Sequence, residues 1–169
     1  AARSALQRVI TRNAGTPWAA DAMYLLADLE SDAGRDTRAR DLHQRACTQE
    51  RPGNYSDQAC FRSGILSFAL GDARRAAAAF DALPRRFPKS PEVIPALYWA
   101  GRAHERLRNT DEARARWSEV LRREPLSYYA SPAARRLKVE PWRPSAERLP
   151  RPVAYDDAIR RAAVLEQLG

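Results

Sequence analysis

The chain has 169 residues and a mass of 19.0 kDa, the size of one ordinary domain with a continuous core. Hydrophobic residues make up 44% of it, but Ala dominates them and Val and Ile are sparse, a mixture that with Arg and Glu favours helices packed through small side chains. No apolar run approaches the ~20 residues that span a bilayer, which excludes a transmembrane helix, and the net charge of +8 comes from Arg, since Lys89 and Lys138 are the only lysines.

Apolar periodicity predicts helices at about 2–13, 17–33, 35–49, 55–70, 72–86, 91–107, 109–123, 126–138 and 153–167. Within the first eight runs a repeat of 37 residues. Ala2, Ala39, Ala76 and Ala113 are each followed four positions later by Leu6, His43, Phe80 and Trp117, then three later by Val9, Ala46, Leu83 and Val120. That spacing puts all three on one helical stripe. A second set, Ala22, Ala59 and Ala96, then Tyr24, Phe61 and Tyr98, then Ala27, Gly64 and Gly101, marks a partner helix whose last small residue allows close approach. Gly34, Gly71 and Arg108 fall at equivalent turns, with Asp36, Asp72 and Asn109 or Asp111 placed to cap the next helix. Pro17 and Pro91 suit first helical positions, Pro88 and Pro125 stop helices, and Pro132 requires that its helix be kinked there or begin just before it.

The expected fold is therefore an all-α superhelix, or solenoid, of antiparallel hairpins over residues 1–138. Residues 139–152 hold four prolines and no helical period, and read as a linker with Trp142 and Leu149 as anchors onto the helical body. Residues 153–169 follow as an amphipathic helix with Ala158, Ile159, Ala162, Leu165 and Leu168 on one stripe.

The turn RPGNYS separates Cys47 from Cys60. A disulfide would staple two helices there and fit an oxidising compartment, whereas two buried thiols would serve as small hydrophobes; spacing leaves both readings open.

No catalytic machinery assembles from this sequence. HExxH, GxSxG, Walker, GxGxxG and CxxC spacings do not occur, so no catalytic residue, metal site or cofactor is expected. His43 and His104 read as packing residues, and Asp28, Glu30 and Glu105 as ordinary surface charges. The positive charges are scattered along helices, where Glu112 with Arg116 and Glu119 with Arg123 suit i,i+4 pairing; this disfavours nucleic acid as a partner.

The candidate binding surface is the side lined by the first helix of each hairpin. It carries Tyr24, Phe61 and Tyr98 in register, with Asp28, Ile65 and Arg102 one turn on. These aromatics suit either a sugar or peptide ladder or the contact between consecutive repeats. Arg102, Arg106, Arg135 and Arg136, near Tyr128 and Tyr129, form the basic-aromatic patch of this surface.

The offsets of Leu97, Gly101, Ala113, Trp117, Val120 and Pro125, matched by Gly64, Ala76, Phe80, Leu83 and Pro88, resemble the tetratricopeptide repeat. More narrowly, YWAGRAHERL, DEARARWSEVL and EPLSYYASPAARRL, between Tyr98 and Leu137, resemble the helical superhelix of soluble lytic murein transglycosylases. That resemblance implies a periplasmic protein that cleaves peptidoglycan glycan strands with one catalytic glutamate in a separate lysozyme-like domain. An E-S motif followed by a GLMQ-type stretch, which marks such a domain, does not occur here, so the resemblance implies a non-catalytic scaffold that positions glycan strands or envelope proteins. On its terms the last helix leads toward a catalytic domain outside this chain. A free-standing adaptor that binds a protein segment in the cell envelope is the other reading.

Overall fold

The computed structural model describes residues 2–143 and 153–168, and among these every regular element is a helix. The order is α1 (Ala2–Arg12), α2 (Pro17–Ser31), α3 (Asp36–Thr48), α4 (Ser56–Ala69), α5 (Ala73–Arg86), α6 (Val93–Arg106), α7 (Thr110–Arg123), α8 (Ala130–Leu137) and α9 (Val153–Leu168). Each helix from α1 to α7 packs on the next, and of the first helices α4 also meets both α2 and α6. This is a stack of helical hairpins, α2/α3, α4/α5 and α6/α7, flanked by α1 and α8.

The stripes predicted from the 37-residue period build the core. Ala39, Ala46, Ala76, Phe80, Leu83, Ala113, Trp117 and Val120 are all buried, as are Ala22, Ala27, Ala59 and Ala96 from the partner helices. The close approach is literal at two positions: the Phe80 ring lies against Gly64, and the Trp117 ring against Gly101. The indole Nε1 of Trp117 also donates to the carbonyl of Tyr98 at 3.2 Å.

Three equivalent turns use the left-handed backbone region, with φ of 71° at Gly34, 84° at Gly71 and 62° at Arg108. Of the expected caps, Asp72 accepts from the Arg75 amide at 3.0 Å. Asn109 precedes α7 without a side-chain capping bond, and Asp36 is the first residue of α3 rather than its cap.

Cys47 and Cys60 are joined by a disulfide, with Cα atoms 4.7 Å apart. The intervening turn is braced by Ser56, whose hydroxyl accepts from the Gly53 amide at 2.9 Å and donates to the Ala46 carbonyl at 3.3 Å.

Several expectations are corrected. Pro91 precedes α6 rather than opening it. The eighth helix begins at Ala130, not near 126, which places Pro132 in its first turn, where a missing amide proton breaks no intrahelical bond. Arg116 bypasses Glu112 and pairs instead with Asp81 at 2.7 Å, which also accepts His104 Nε2 at 2.8 Å; Glu119 does pair with Arg123, and with Arg122. Trp142 is 54% exposed and anchors nothing, and its proposed companion Leu149 lies outside the described residues. The last helix forms where the sequence places it, as α9, and its residues 155–167 are all exposed.

Candidate functional site

At the α8 end, the basic-aromatic patch resolves into one cavity of about 670 Å³ between α6 and the start of α8. Tyr98, Arg102, Tyr128, Tyr129 and Arg135 line it, together with Trp99, and no carboxylate does. The turns before α8 explain the geometry. Because α8 starts late, Tyr128 and Tyr129 sit in a tight turn, where their rings meet edge-on at 5.3 Å. Tyr129 leans against Tyr98 at 5.3 Å, while Tyr128 projects with 85% exposure. Burial raises the Tyr129 phenol above its ordinary pKa, so its hydroxyl keeps its proton at neutral pH.

The two cavity arginines differ. The Arg102 guanidinium lies 5.9 Å from the Phe68 ring centroid and 5.8 Å from that of Trp99. Its Nε is 3.5 Å from Glu105 Oε2, an ion pair without a hydrogen bond, so this buried donor is unpartnered. Arg135 is exposed and has no ion-pair partner among the described residues. Together they form a positive, aromatic-walled opening suited to a planar or anionic group.

Arg106 and Arg136 do not join this cavity. Arg106 lies 3.4 Å over the Phe68 ring and donates to the Phe68 carbonyl at 2.8 Å. Arg136 turns toward α7, 5.4 Å from the Trp117 ring, and bonds Glu105 Oε1 at 2.6 Å. Both guanidiniums are engaged in packing between helices.

The aromatic register does not form an open ladder. Tyr24 and Tyr98 are buried, and half-buried Phe61 faces Phe80 at 5.8 Å. Tyr24 stacks on Tyr55 at 5.0 Å and donates its hydroxyl to Gln58 Oε1 at 3.2 Å. The pairs Tyr24–Tyr55 and Tyr98–Tyr129 are the same contact two repeats apart, so these rings join consecutive repeats. Tyr55 and Glu92 escaped the sequence reading, although the 37-residue period that links them to Tyr129 was available.

At the α1 end the carboxylates are not ordinary surface charges. Glu30 is 1% exposed and bonded to Arg35, with Arg3 at 3.4 Å and Arg38 at 3.8 Å. The Arg35 hydrogen bond, against the opposing effect of burial, holds its carboxyl below the usual range. Asp28, at the same repeat position as Arg102, faces a smaller cavity of about 330 Å³ between α2 and α4. Loss of hydration raises its pKa; the nearby Arg62 opposes that rise and Asp32 adds to it. His43 closes the base of this cavity at 1% exposure, and its Nε2 is 3.5 Å from Asp28 Oδ1. His104, the other histidine, is also buried, on Asp81. Among the described residues no cluster of His, Cys, Asp and Glu has the arrangement of a metal site.

A family model for the tetratricopeptide repeat matches residues 1–55, 61–115 and 98–138. A comparison with curated proteins finds no match. Among solved structures, the first TPR of Spaghetti (RPAP3) bound to the HSP90 peptide SRMEEVD is similar, with a TM-score of 0.57 and 17% identity over 70% of this chain and 90% of that one. MamA follows at 0.56 and 21%, over 72% of this chain and 62% of its own. PcrH, in complex with the chaperone binding region of PopB, gives 0.55 and 16%, over 69% and 93%. At such identities these likenesses speak for the fold, and the findings reach the repeat family without reaching the narrower transglycosylase likeness. With its hairpin stack, its 37-residue period and a family match over most of its length, the chain belongs to the tetratricopeptide repeat family.

Proposed function

We propose that this chain is a protein-binding scaffold that holds an extended segment of a partner protein along the side lined by α2, α4, α6 and α8. The cavity at Tyr98, Arg102, Tyr128, Tyr129 and Arg135 carries this reading: it combines rigid aromatic walls, an exposed Tyr and two arginines with no carboxylate on the lining. Two of the similar structures hold peptide or protein segments of partners, which supports the same use here. Peptides selected from a displayed random library should be enriched in acidic and aromatic residues, and the Tyr128→Ala/Arg135→Ala double variant should bind them at least about tenfold more weakly. Equal binding by that variant would remove the cavity from the function.

A second reading, a non-catalytic scaffold of a peptidoglycan lytic transglycosylase in the periplasm, is favoured by one observation: the segment Tyr98 to Leu137 that resembles that family supplies the cavity wall. In this reading residues 1–138 are the repeats, 139–152 the linker and 153–169 the lead toward a catalytic domain. The tyrosines would stack on sugar rings and the arginines would meet carboxylates of the wall polymer. The disulfide fits an oxidising compartment. Sedimentation with purified sacculi, reduced in Arg102→Ala/Arg135→Ala, would support it. Absence of sedimentation by the parent chain would rule it out.

A further inference from the structure

The aromatic cavity has two features that an ordinary acidic side chain would leave unused. The first is its surplus of donors. Arg102 and Arg135 both line it, and no carboxylate does. Glu105, the acid beside Arg102, divides itself between an ion pair with Arg102 at 3.5 Å and a hydrogen bond to Arg136 at 2.6 Å, while Arg135 has no ion-pair partner among the described residues. The Arg102 guanidinium rests against the Phe68 and Trp99 rings, which themselves meet edge-on at 5.2 Å, and this limits its freedom before anything binds. The start of α8 adds neutral donors to the same wall. No side chain caps this helix. Ala130 and Ala133 spend their amides on the carbonyls of Ser127 and Tyr129, and Pro132 has no amide proton, which leaves the amide and hydroxyl of Ser131. Ser131 lies one helical turn from Arg135, and both line the cavity. The second feature is an uncovered ring: Tyr128 is 85% exposed, and Tyr129 meets it only edge-on.

We infer that this cavity receives a phosphotyrosine of the partner segment. Its phosphate is close to a dianion at neutral pH and presents three acceptor oxygens, so it balances two guanidiniums and still accepts from Ser131. A carboxylate brings one charge and two oxygens, which leaves one guanidinium unmatched. The tyrosyl ring supplies the flat apolar surface that Tyr128 lacks. A phosphoserine would bring the same charge and leave Tyr128 uncovered. A volume of about 670 Å³ admits one such side chain with part of its backbone. The inference rests on the reading that the groove takes a protein segment, and it names the residue that occupies the α8 end.

The probe is N-acetyl-O-phosphotyrosine amide, titrated into the isotope-labelled chain and followed by NMR, beside N-acetyltyrosine amide, N-acetyl-O-phosphoserine amide and N-acetylglutamate α-amide. Saturable shifts are expected at the amides of Tyr128, Ser131 and Arg135, with a dissociation constant on the order of 1 mM or below and the tyrosine and glutamate derivatives about tenfold weaker. Arg135→Ala should lose about tenfold for both phosphorylated probes, whereas Tyr128→Ala should lose about fivefold for phosphotyrosine and leave phosphoserine unchanged. Affinity for phosphotyrosine should also rise as the pH passes through about 6, where the phosphate takes its second charge. Both substituted side chains are exposed, and a melting curve confirms the fold of each variant. No saturable shift with phosphotyrosine, equal binding of the glutamate or phosphoserine derivative, or an unchanged affinity in Arg135→Ala would overturn the inference. If displayed peptides without phosphate bind the cavity and the phosphotyrosine probe does not, the groove reading stands and this inference falls. If the probe binds and those peptides do not, the phosphotyrosine site stands and only capture of an unmodified segment is lost.

Discussion

The indole of Trp117 occupies the space that a side chain on Gly101 would need: a Cβ there would lie 2.7 Å from Cδ1. Ring and helix have been fitted by deleting a methyl group. Gly101→Ala should therefore destabilise the chain by about 1–3 kcal/mol through overpacking, although Ala exceeds Gly in intrinsic helix propensity by about 1 kcal/mol. Gly64→Ala should behave alike, with its Cβ 2.7 Å from Cδ1 of Phe80. Urea denaturation of both variants checks this, and undiminished stability would show that the rings can swing aside.

Arg108 performs in the third hairpin the turn that Gly34 and Gly71 perform in the first two, but with a side chain in the left-handed region. Such a backbone costs a residue with a Cβ about 1–2 kcal/mol, while glycine loses more chain entropy on folding. The balance predicts that Arg108→Gly stabilises the chain by roughly 0.5–1 kcal/mol. A rise in melting temperature is the readout.

The disulfide closes a separation of 13 residues between α3 and α4. Restricting the unfolded chain over a loop of that length is worth about 3 kcal/mol. Native protein should show no titratable thiol, and Cys47→Ser/Cys60→Ser should lower the unfolding free energy by about that amount. Two reactive thiols in the oxidised native protein would contradict the pairing.

His43 makes folding acid-sensitive. Its pKa falls from 6.5 to about 4 on burial, so between these values the unfolded chain binds the proton and the folded chain does not. The contribution is fully present above pH 6.5, shrinks as the pH falls toward 4, and totals about 3 kcal/mol. His43→Phe, which restores the aromatic found at position 80, should flatten that part of the stability profile. Denaturant unfolding at pH 7 and pH 4 should show the parent losing about 3 kcal/mol more than the variant. Equal losses would mean that His43 is protonated in the folded state.

How much could be read in advance differs from residue to residue. The period of small, aromatic and apolar residues specified the hairpins, because helix packing requires a small residue at Gly64 and Gly101 wherever Phe80 and Trp117 must enter. It also marked the turns at Gly34, Gly71 and Arg108. The same period carried the Tyr24–Tyr55 and Tyr98–Tyr129 contacts, but a repeat position does not reveal which neighbour it faces across the stack.

Partner choice among charges was hidden for the same reason. Glu112 and Arg116 have ideal helical spacing, yet Arg116 reaches Asp81 on another helix. Glu30 looks like any helix carboxylate until Arg3, Arg35 and Arg38 converge on it from three elements. Arg106 and Arg136 belong to the basic patch by sequence and to the packing by geometry, since one side chain lies on Phe68 and the other on Trp117. The sequence by itself determined the all-helical repeat and the family, which rest on local periodicity and side-chain size. Only the tertiary structure decided which arginines face an open cavity and which carboxylates lose their water, because those outcomes depend on distances between helices that no linear spacing encodes.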